Sequence, residues 1–532
     1  MVVRARFVLP TVLALCGLGA CTQDEPASRP NILYIVADDL GFTDIQPFGS
    51  EIATPTLNEL ALAGVRLTNF HTDSNCQRTR VMLMSGAGSG SALEVIGNPM
   101  SGLRGNLLRR EWAILPELLQ DAGYATYMTG KWDLGIGEGY TPATRGFDRS
   151  FALLDASASH FKELLWENPI PYEDEGVPMR VEDLPDDFYA TRFYTDRMLE
   201  YLRGHEGDRP WFAFVPYTTP HWPLQLPDDW LDRNAGRYDA GYDALREDRF
   251  ARASELGVIP PGGRLASFRP VAPAWSSLSE DQRRRTSRAQ EIYAGMVEYL
   301  DMSVGRLIAY LEESGQLDNT VIVFSSDHGG SSDGSGLVAG DDSPRGLPGR
   351  NNALENFGRP GSFIDHGRGF AEAATAPFSD VKGAIGEGGL RAAAFVHYPA
   401  AIEGGRVSHE FMTIMDVLPT FLEIAASAHP GATSYKGREI HAIDGRSFWP
   451  YLTGASDRVH EPTDSAGWTA GGGHGALIRG NYKLINERLR YGGVTPWRLY
   501  DIAADPGETR DLAMLFPGLT AEMAAEWERD WR

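Results

Sequence analysis

Cys76 is the residue whose type and setting most favour a chemical role. The chain has three cysteines, and the other two, Cys16 and Cys21, lie in an N-terminal segment with the pattern of an export signal. A single thiol in an exported body has no disulfide partner, so it is either an inert buried hydrophobe or a reactive group. Arg78 and Arg80 follow it, just before an apolar run that predicts a helix. Because a cationic helix start lowers a thiol pKa and attracts anions, the setting favours chemistry at Cys76.

Acidic residues directly follow two apolar runs of strand length. Asp38 and Asp39 follow the first run, and Asp327 and His328 follow a run in the middle of the chain. Three carboxylates supply hard oxygen donors for a divalent cation of the calcium or magnesium kind, although a pair of aspartates is also common in turns. A nitrogen donor from His328 shifts the preference towards manganese, iron or zinc if it ligates. The pattern predicts a metal site that draws on both strand ends.

The elements that position these residues are predicted by the same apolar runs. Uninterrupted apolar strands separated by helical patterns indicate a mostly parallel sheet covered by helices on both faces. Lys131 and His221 also follow such runs, and sheets of this kind build their sites beyond the carboxyl ends of the strands. We therefore expect Lys131 and His221 beside the acidic residues. The predicted strands are 31–37, 124–128, 211–217 and 320–326, and the clearest predicted helices are 56–63 and 287–314.

Length and charge restrict the domain organisation and the class of partner. The 532 residues, 42% of them hydrophobic, are enough for one large domain and a smaller one. The formal net charge of -23 argues against nucleic acid and anionic lipid surfaces, and an anionic substrate then needs a local cationic pocket. Short strands at 476–479 and 482–485, followed by a last helix at 520–531, predict a separate α+β layer at the end of the chain.

The N-terminal segment predicts export and a lipid anchor. Arg4 and Arg6 precede an apolar stretch at 7–19 that is too short to span a bilayer. The stretch ends in Leu-Gly-Ala-Cys, which resembles a bacterial lipoprotein signal at 1–21 with Cys21 as the acylated residue. Residues 22–30 then form a polar tether, and the protein is expected in the periplasm or cell envelope. The alternative is an ordinary signal peptide that is cut after residue 20.

Seven blocks of sequence resemble the sulfatase family, and they stand in the same order. The resemblance runs from about residue 30 to the C-terminus and is closest to bacterial arylsulfatases. It implies an alkaline-phosphatase-like α/β fold with a mostly parallel central sheet flanked by helices. It also implies a catalytic domain at 31–405 and a smaller C-terminal α+β subdomain at 406–532 with an antiparallel sheet. The blocks are NILYIVADDLGFTDI, CQRTRVMLMSG, GKWDLG, TPHWPLQLP, SSDHGG, KGAIGEGGLR and LYDIAADPGE.

The resemblance also implies roles for individual residues. In sulfatases a formylglycine-generating enzyme oxidises the motif cysteine, here Cys76, to a formylglycine whose hydrate is the nucleophile, and Arg80 matches the arginine that holds it. One divalent metal ion is implied, Ca²⁺ in the first instance with Mn²⁺ or Mg²⁺ as alternatives. Its implied ligands are Asp38, Asp39, Asp327 and the modified Cys76, together with His328, which stands where arylsulfatases more often have asparagine. The residues that match those gripping the sulfate and protonating the leaving oxygen are Lys131, His221 and Lys382.

Two positions depart from the family pattern. The oxidising enzyme usually requires proline or alanine two residues after the cysteine, and this chain has Arg78. Asp133 stands where the family has a histidine, so a carboxylate replaces an imidazole near an anionic substrate. Asp133 is therefore a candidate catalytic residue, and the sequence does not assign its role. Both departures fall in the active site, whereas the blocks that build the scaffold match the family.

Together these patterns predict a metal-dependent sulfuric ester hydrolase that uses a formylglycine at Cys76. Its expected substrate is a small anionic sulfate ester, and its expected contact with membranes is the lipid anchor alone. Three alternatives remain open at this stage. The first is a phosphodiester or phosphonate monoester hydrolase on the same scaffold, which the pair Asp327 and His328 would suit. The others are a degenerate anion-binding homologue without turnover and an enzyme that uses the unmodified Cys76 thiol as its nucleophile.

Overall fold

The structure is a computed structural model that describes residues 29–95, 106–137, 139–165, 170–267, 272–332, 350–469, 473–487 and 493–531. The predicted lipoprotein signal at 1–21, including Cys21, and most of the tether lie outside the described residues. Among the helices that are described, none combines the length and the apolar character needed to cross a membrane.

A mixed sheet of eleven strands forms the centre of the molecule. Its order is β12-β2-β11-β10-β1-β9-β5-β6-β7-β8, and β13 also pairs with β2. The strands are β1 (Asn31–Ala37), β2 (Val65–His71), β5 (Ala125–Lys131), β6 (Arg149–Leu153), β7 (Tyr172–Asp174), β8 (Val177–Met179), β9 (Trp211–Pro216), β10 (Thr320–Ser326), β11 (Arg391–His397), β12 (Arg406–Ser408) and β13 (Met412–Thr413). Two small ribbons pair β3 (Leu93–Val95) with β4 (Asn106–Leu108), and β14 (Ser434–Tyr435) with β15 (Arg438–Glu439).

The middle of this sheet is parallel and completely buried. Strands β10, β1, β9, β5 and β6 are parallel neighbours, and every residue of β1, β5, β9 and β10 is buried. Apolar side chains on both faces of these strands explain why their sequences read as continuous rather than alternating hydrophobic runs. Two of the four predicted strands, β1 and β10, have the predicted bounds, and the other two differ only at their ends. The carboxyl ends of these strands meet at one edge of the sheet.

Helices cover both faces of the sheet. The longest, α7, begins at a Ser279 cap that accepts a hydrogen bond from the Gln282 backbone, and its apolar stripe packs into the core. Helix α2 begins at Cys76 and ends before Gly86, which has a positive φ of 65°. The helices are α1 (Pro55–Ala63), α2 (Cys76–Ser85), α3 (Ser89–Ala92), α4 (Leu115–Asp121), α5 (Ala190–Arg203), α6 (Gly241–Glu255), α7 (Glu280–Glu313), α8 (Gly367–Ala374), α9 (Glu387–Leu390), α10 (Val417–Ile424), α11 (Trp449–Leu452) and α12 (Pro517–Asp530).

The end of the chain forms a small antiparallel sheet with one helix against it. The strands β16 (Ser465–Thr469), β17 (Gly475–Arg479), β18 (Tyr482–Ile485) and β19 (Arg498–Asp501) pair in sequence order. Met523 and Trp527 of α12 pack on this sheet and close a small core of their own. The predicted fold class is therefore confirmed. The division of the chain after residue 405 stays a prediction, because β12 and β13 lie at the edge of the large sheet beside β2.

Candidate active site

The carboxyl edge of the parallel strands brings together all ten residues that the sequence singled out. β1 leads to Asp38 and Asp39, β5 ends at Lys131, β9 leads to His221, and β10 leads to Asp327. The remaining members arrive on segments that start or end at the same edge, because β2 runs parallel to β1 and leads into α2, whereas the antiparallel β11 starts there. Those members are Cys76, Arg80, Asp133, His328 and Lys382.

Cys76 is the first residue of α2 and lies at the centre of the cluster. The side chain of Asn75 caps the helix by accepting a hydrogen bond from the Gln77 backbone, which fixes the start of the helix. Cys76 Sγ lies 3.2 Å from His328 Nε2, and the residue is only 5% exposed. Burial raises the pKa of the thiol well above its usual value, although Lys131 and Lys382 oppose that shift. The expectation of a lowered thiol pKa was therefore wrong in the absence of a bound cation, because desolvation outweighs the nearby positive charges.

One pair of carboxylates is held by Lys131 and Arg80. Lys131 Nζ donates a 2.7 Å hydrogen bond to Asp38 Oδ2, and Arg80 Nη2 lies 3.2 Å from Asp327 Oδ2 and 3.8 Å from Asp38 Oδ2. Arg80 Nη1 also donates to the carbonyl oxygen of Lys131, so the arginine ties α2 to β5. Burial acts to raise the pKa of Asp38, but the surrounding positive charges, with Lys131 the strongest, together outweigh it and hold that pKa well below the usual range. Asp38 is therefore an anion in the folded protein.

A second group joins Asp39, Lys382 and His221. Lys382 Nζ lies 2.7 Å from Asp39 Oδ1 and 3.3 Å from His221 Nε2. His221 Nδ1 lies 2.5 Å from the carbonyl oxygen of Trp222, which can only accept, so Nδ1 carries the proton. The other ring nitrogen, Nε2, therefore accepts from Lys382 when the ring is neutral. Burial lowers the pKa of His221 to about 4, with Asp39 opposing the shift, so the ring is neutral at pH 7.

His328 presents the lone pair of Nε2 to the carboxylates. Its Nδ1 lies 2.9 Å from the carbonyl oxygen of Gly329 and so carries the proton, whereas Nε2 lies 3.3 Å from Asp39 Oδ1 and 3.5 Å from Asp327 Oδ1. A lone pair that faces two carboxylate oxygens needs a cation between them. A second sign is that the buried oxygens Asp38 Oδ1 and Asp39 Oδ2 have no hydrogen-bond partner. This donor set fits a divalent metal ion.

The charges of the described part of the cluster point to the same conclusion. Four buried carboxylates, those of Asp38, Asp39, Asp133 and Asp327, face two buried cations, Arg80 and Lys131, and the partly buried Lys382. The cluster therefore repels an anion as it stands. A divalent cation would reverse the sign of its net charge, which an anionic substrate requires. Candidate sets whose ligand atoms all lie within 4.8 Å of one another are Asp38, Cys76, Asp327 and His328, and Asp38, Asp39, Cys76 and His221.

Asp133 lies at the margin of the cluster. Its Oδ2 is 3.9 Å from Lys131 Nζ, and Gln77 donates a 3.3 Å hydrogen bond to its Oδ1. Burial raises the pKa of Asp133 to about 6, although the Lys131 ammonium acts in the opposite direction. A backbone φ of 54° places Asp133 in the left-handed region, which aspartate tolerates better than most side chains. Asp133 is therefore a buried carboxyl group that titrates close to physiological pH.

Sequence reasoning missed several side chains that support the cluster from behind. Tyr293 Oη lies 3.3 Å from the backbone oxygen of Asp39 and 2.6 Å from Asp44 Oδ2, which braces Asp39 in its left-handed conformation with φ of 69°. His160 Nε2 lies 2.9 Å from the backbone oxygen of His221. These contacts join residues that are far apart in sequence, so no local pattern reveals them.

A buried group of charges also fixes the segment that carries Lys382. Glu387 bonds to Arg391, to His71 at 3.1 Å and to Lys483 Nζ at 2.8 Å. Glu508 accepts a hydrogen bond from the Glu387 backbone and lies 3.0 Å from Lys483. Lys483 lies in β18 and Glu508 follows β19, so the C-terminal part of the molecule supports the active-site segment. Nothing in the spacing of these residues indicates their contact.

Comparison with known proteins identifies relatives over nearly the whole chain. Uncharacterized sulfatase PB10D8.02c of Schizosaccharomyces pombe is 40% identical and aligns with 96% of this chain and 94% of its own. The protein named Arylsulfatase from Klebsiella aerogenes is 32% identical over 78% of this chain and 89% of its own.

Solved structures show the same fold at lower sequence identity. The i-CgsB protein, solved in complex with k-i-k-neocarrahexaose, matches with a TM-score of 0.66 and 22% identity, over 94% of this chain and 92% of its own. The phosphonate monoester hydrolase of Agrobacterium radiobacter matches with a TM-score of 0.54 and 17% identity, over 94% of both chains. The family model described as Sulfatase covers residues 30–427, about three quarters of the chain. This chain is therefore a member of the sulfatase family.

Proposed function

We propose that this protein is a metal-dependent sulfuric ester hydrolase of the arylsulfatase type, with a formylglycine formed from Cys76 as its nucleophile. The observation that carries the proposal is the position of Cys76 among three cationic side chains, two of them buried, and the donor set for a divalent metal ion. Membership of the sulfatase family supplies the reaction class. The metal ion, Ca²⁺ in the first instance, would be held by Asp38, Asp39, Asp327 and His328, with residue 76 as a further ligand.

The cationic side chains are arranged to stabilise charge on the transferred group. A sulfate ester gathers negative charge on its bridging oxygen as the S–O bond breaks, so fixed cations near that oxygen lower the barrier. Lys131 is held by Asp38 and Lys382 by Asp39, which keeps both ammonium groups in place. The metal ion would supply further Lewis-acid stabilisation when bound.

The pair of Lys382 and His221 is the proposed proton donor to the leaving oxygen. His221 Nε2 accepts from Lys382 Nζ at 3.3 Å while Nδ1 is fixed by Trp222. Since His221 is neutral at pH 7, the proton that the leaving group takes resides on Lys382 or is relayed through His221 Nε2. The proposed acid is therefore a two-residue unit of Lys382 and His221.

Residue 76 supplies the nucleophile in this proposal. The hydrate of a formylglycine carries a hydroxyl that attacks sulfur more readily than the buried thiol, whose pKa is raised. A formylglycine-generating enzyme is the required partner in maturation. The pattern at 1–21 supports action in the periplasm or cell envelope, with Cys21 as the proposed lipid anchor.

A second candidate is a phosphonate monoester or phosphodiester hydrolase. It is favoured by the adjacent Asp327 and His328 and by the fold shared with the phosphonate monoester hydrolase of Agrobacterium radiobacter. The same cations and metal donors would suit a phosphonate monoester, which carries one negative charge like a sulfate ester.

The test compares an aryl sulfate with an aryl phosphonate monoester that has the same phenol leaving group. The protein is produced with a formylglycine-generating enzyme, and mass spectrometry of the peptide that carries residue 76 reports the modification. We expect kcat/KM to be higher for the sulfate and to be lost in Cys76→Ala. A higher value for the phosphonate would support the second candidate. Absence of turnover with either ester in fully modified protein would leave the degenerate anion-binding alternative.

A further inference from the structure

The donors around Cys76 are unusual for a site that binds only hard cations. The set that lies within 4.8 Å contains one sulfur, one imidazole nitrogen and two carboxylates, from Cys76, His328, Asp38 and Asp327, and all four residues are buried. Calcium and magnesium take oxygen ligands almost exclusively, whereas thiolate and imidazole favour zinc and other borderline metals. The metal ion that the cluster prefers therefore depends on whether residue 76 is an unmodified cysteine or a formylglycine.

The ligand atoms already face one another at suitable distances. Cys76 Sγ is 3.2 Å from His328 Nε2, and His328 Nε2 is 3.5 Å from Asp327 Oδ1. Four ligands that lie about 2.0 to 2.3 Å from a Zn²⁺ ion in a tetrahedron are about 3.3 to 3.7 Å apart. Two separations of the set are close to these values, and all of its ligand atoms lie within 4.8 Å of one another.

Two further features prepare the site for a metal. The Nδ1–H of His328 donates to the Gly329 carbonyl oxygen, so the Nε2 lone pair is directed at the other donors, as in most histidine metal ligands. Asp38 Oδ1 is buried without a hydrogen-bond partner, although Asp38 Oδ2 is bound by Lys131. Asp38 Oδ1 therefore retains an unused lone pair, and the Nε2 lone pair of His328 is engaged only by the Cys76 thiol, whose proton is lost when a metal binds.

We propose that the unmodified chain binds Zn²⁺ through Cys76, His328, Asp38 and Asp327, and that the thiol sets this selectivity. On binding, the S–H bond of Cys76 breaks, a Zn–S bond forms and the proton passes to water. Every newly made chain carries this thiol, so the zinc form precedes or competes with modification. The inference deepens the proposed function because it concerns the same metal cluster, but it does not require turnover.

The test uses cobalt as a spectroscopic probe for zinc. The full chain carries Cys16→Ser and Cys21→Ser, so that Cys76 is its single cysteine, and is made in a host without a formylglycine-generating enzyme. Mass spectrometry verifies the thiol, and a chelator removes bound metal. Co²⁺ is then added, and we expect a sulfur-to-cobalt charge-transfer band together with the visible bands of a tetrahedral ion. Zn²⁺ should abolish both sets of bands, and a large excess of Ca²⁺ should not.

Two variants separate the contributions of the ligands. Cys76→Ser keeps the size of the side chain and should remove the charge-transfer band and weaken Zn²⁺ binding by at least about 100-fold. His328→Asn should keep the band and weaken binding to a similar extent. Thermal unfolding of each variant confirms that it is folded.

The proposal is overturned if the folded thiol protein shows no charge-transfer band with Co²⁺. It is also overturned if Cys76→Ser binds Zn²⁺ as tightly as its parent, or if Ca²⁺ displaces Zn²⁺ at equal concentration. Aryl sulfate turnover is measured separately on formylglycine-bearing protein, so the hydrolase proposal and the zinc proposal can fail independently.

Discussion

Asp133 is a buried carboxyl group whose ionisation lowers the stability of the fold. In the folded protein burial raises its pKa to about 6, above the 3.8 expected for an unfolded chain. The folded state therefore binds a proton more tightly than the unfolded state between these two values. Ionisation of Asp133 destabilises the fold increasingly as pH rises from about 4 to about 6, and the full cost applies above that range.

We therefore predict that Asp133→Asn stabilises the protein at pH 8 by about 2 to 3 kcal/mol and has little effect at pH 4. The measurement is the free energy of unfolding by denaturant across this range, in excess chelator so that no cation contributes. Asp208→Asn, at an exposed position, serves as the control and should show no such dependence on pH. An equal effect of Asp133→Asn at both pH values would contradict the raised pKa.

Arg78 is the second residue that departs from its family. It occupies the third position of α2, where backbone N–H groups have no partner within the helix, because the first helical bond is donated by Thr79 to Asn75. Proline is tolerated in such a first turn. Arg78 lies 3.5 Å from Asp73, a weak and partly exposed ion pair.

Arg78→Pro should therefore fold and should raise the fraction of Cys76 that is converted to formylglycine when the oxidising enzyme is present. Mass spectrometry of the peptide measures that fraction, and aryl sulfate turnover should rise with it. Arg78→Lys, which preserves the charge, is the matched control. If an active preparation of the parent protein contains only free thiol at Cys76, the formylglycine mechanism is wrong.

Among the structural elements, continuous apolar strands were predictable and long-range polar contacts were not. β1 and β10 have their predicted bounds. Each strand is buried on both faces, so its sequence is a continuous apolar run whose ends mark the ends of the strand. Helix α7 was predicted to begin at residue 287 and begins at Glu280, because its first two turns are capped but polar. His71 and Glu387 are 316 residues apart, and a contact over that distance leaves no periodic signal.

The buried charges that link the small sheet to α9 provide a test at the level of elements. Lys483 is fully buried between Glu387 and Glu508, so Lys483→Met removes the ammonium group that these two buried carboxylates share, although Arg391 still pairs with Glu387. We expect a loss of about 3 to 5 kcal/mol of unfolding free energy and a fall in kcat, because the segment that carries Lys382 is released. Adding Glu508→Gln should recover part of the stability.

The matched control for this substitution is Arg498→Met in the neighbouring strand β19. Its ion pair with Glu487 is partly exposed and contacts no active-site segment, so its loss should cost about 1 kcal/mol or less. Denaturant unfolding measures both variants. Equal costs for Lys483→Met and Arg498→Met would show that the buried group adds no special stability.

For the whole molecule, the active site is a point where distant parts of the chain meet. Asp39 and Asp327 are 288 residues apart, and the Asp39 backbone donates a hydrogen bond to Asp327 Oδ1. Lys382 joins them from a third segment. Because the carboxylates at this edge outnumber the cationic side chains that pair with them, a metal ion bound between them stabilises the arrangement of the entire sheet edge.

Metal removal should therefore affect folding as well as activity. Excess chelator should abolish turnover and lower the melting temperature, since a ligand that binds only the native state at 100 times its Kd adds about 2.7 kcal/mol of stability. Differential scanning calorimetry with chelator and with added Ca²⁺ measures the shift. Asp327→Asn is the control: it should melt at the same temperature in both conditions, because it has lost a ligand and a repelling charge. Unchanged melting and unchanged turnover of the parent protein in excess chelator would show that the cluster does not depend on a metal ion.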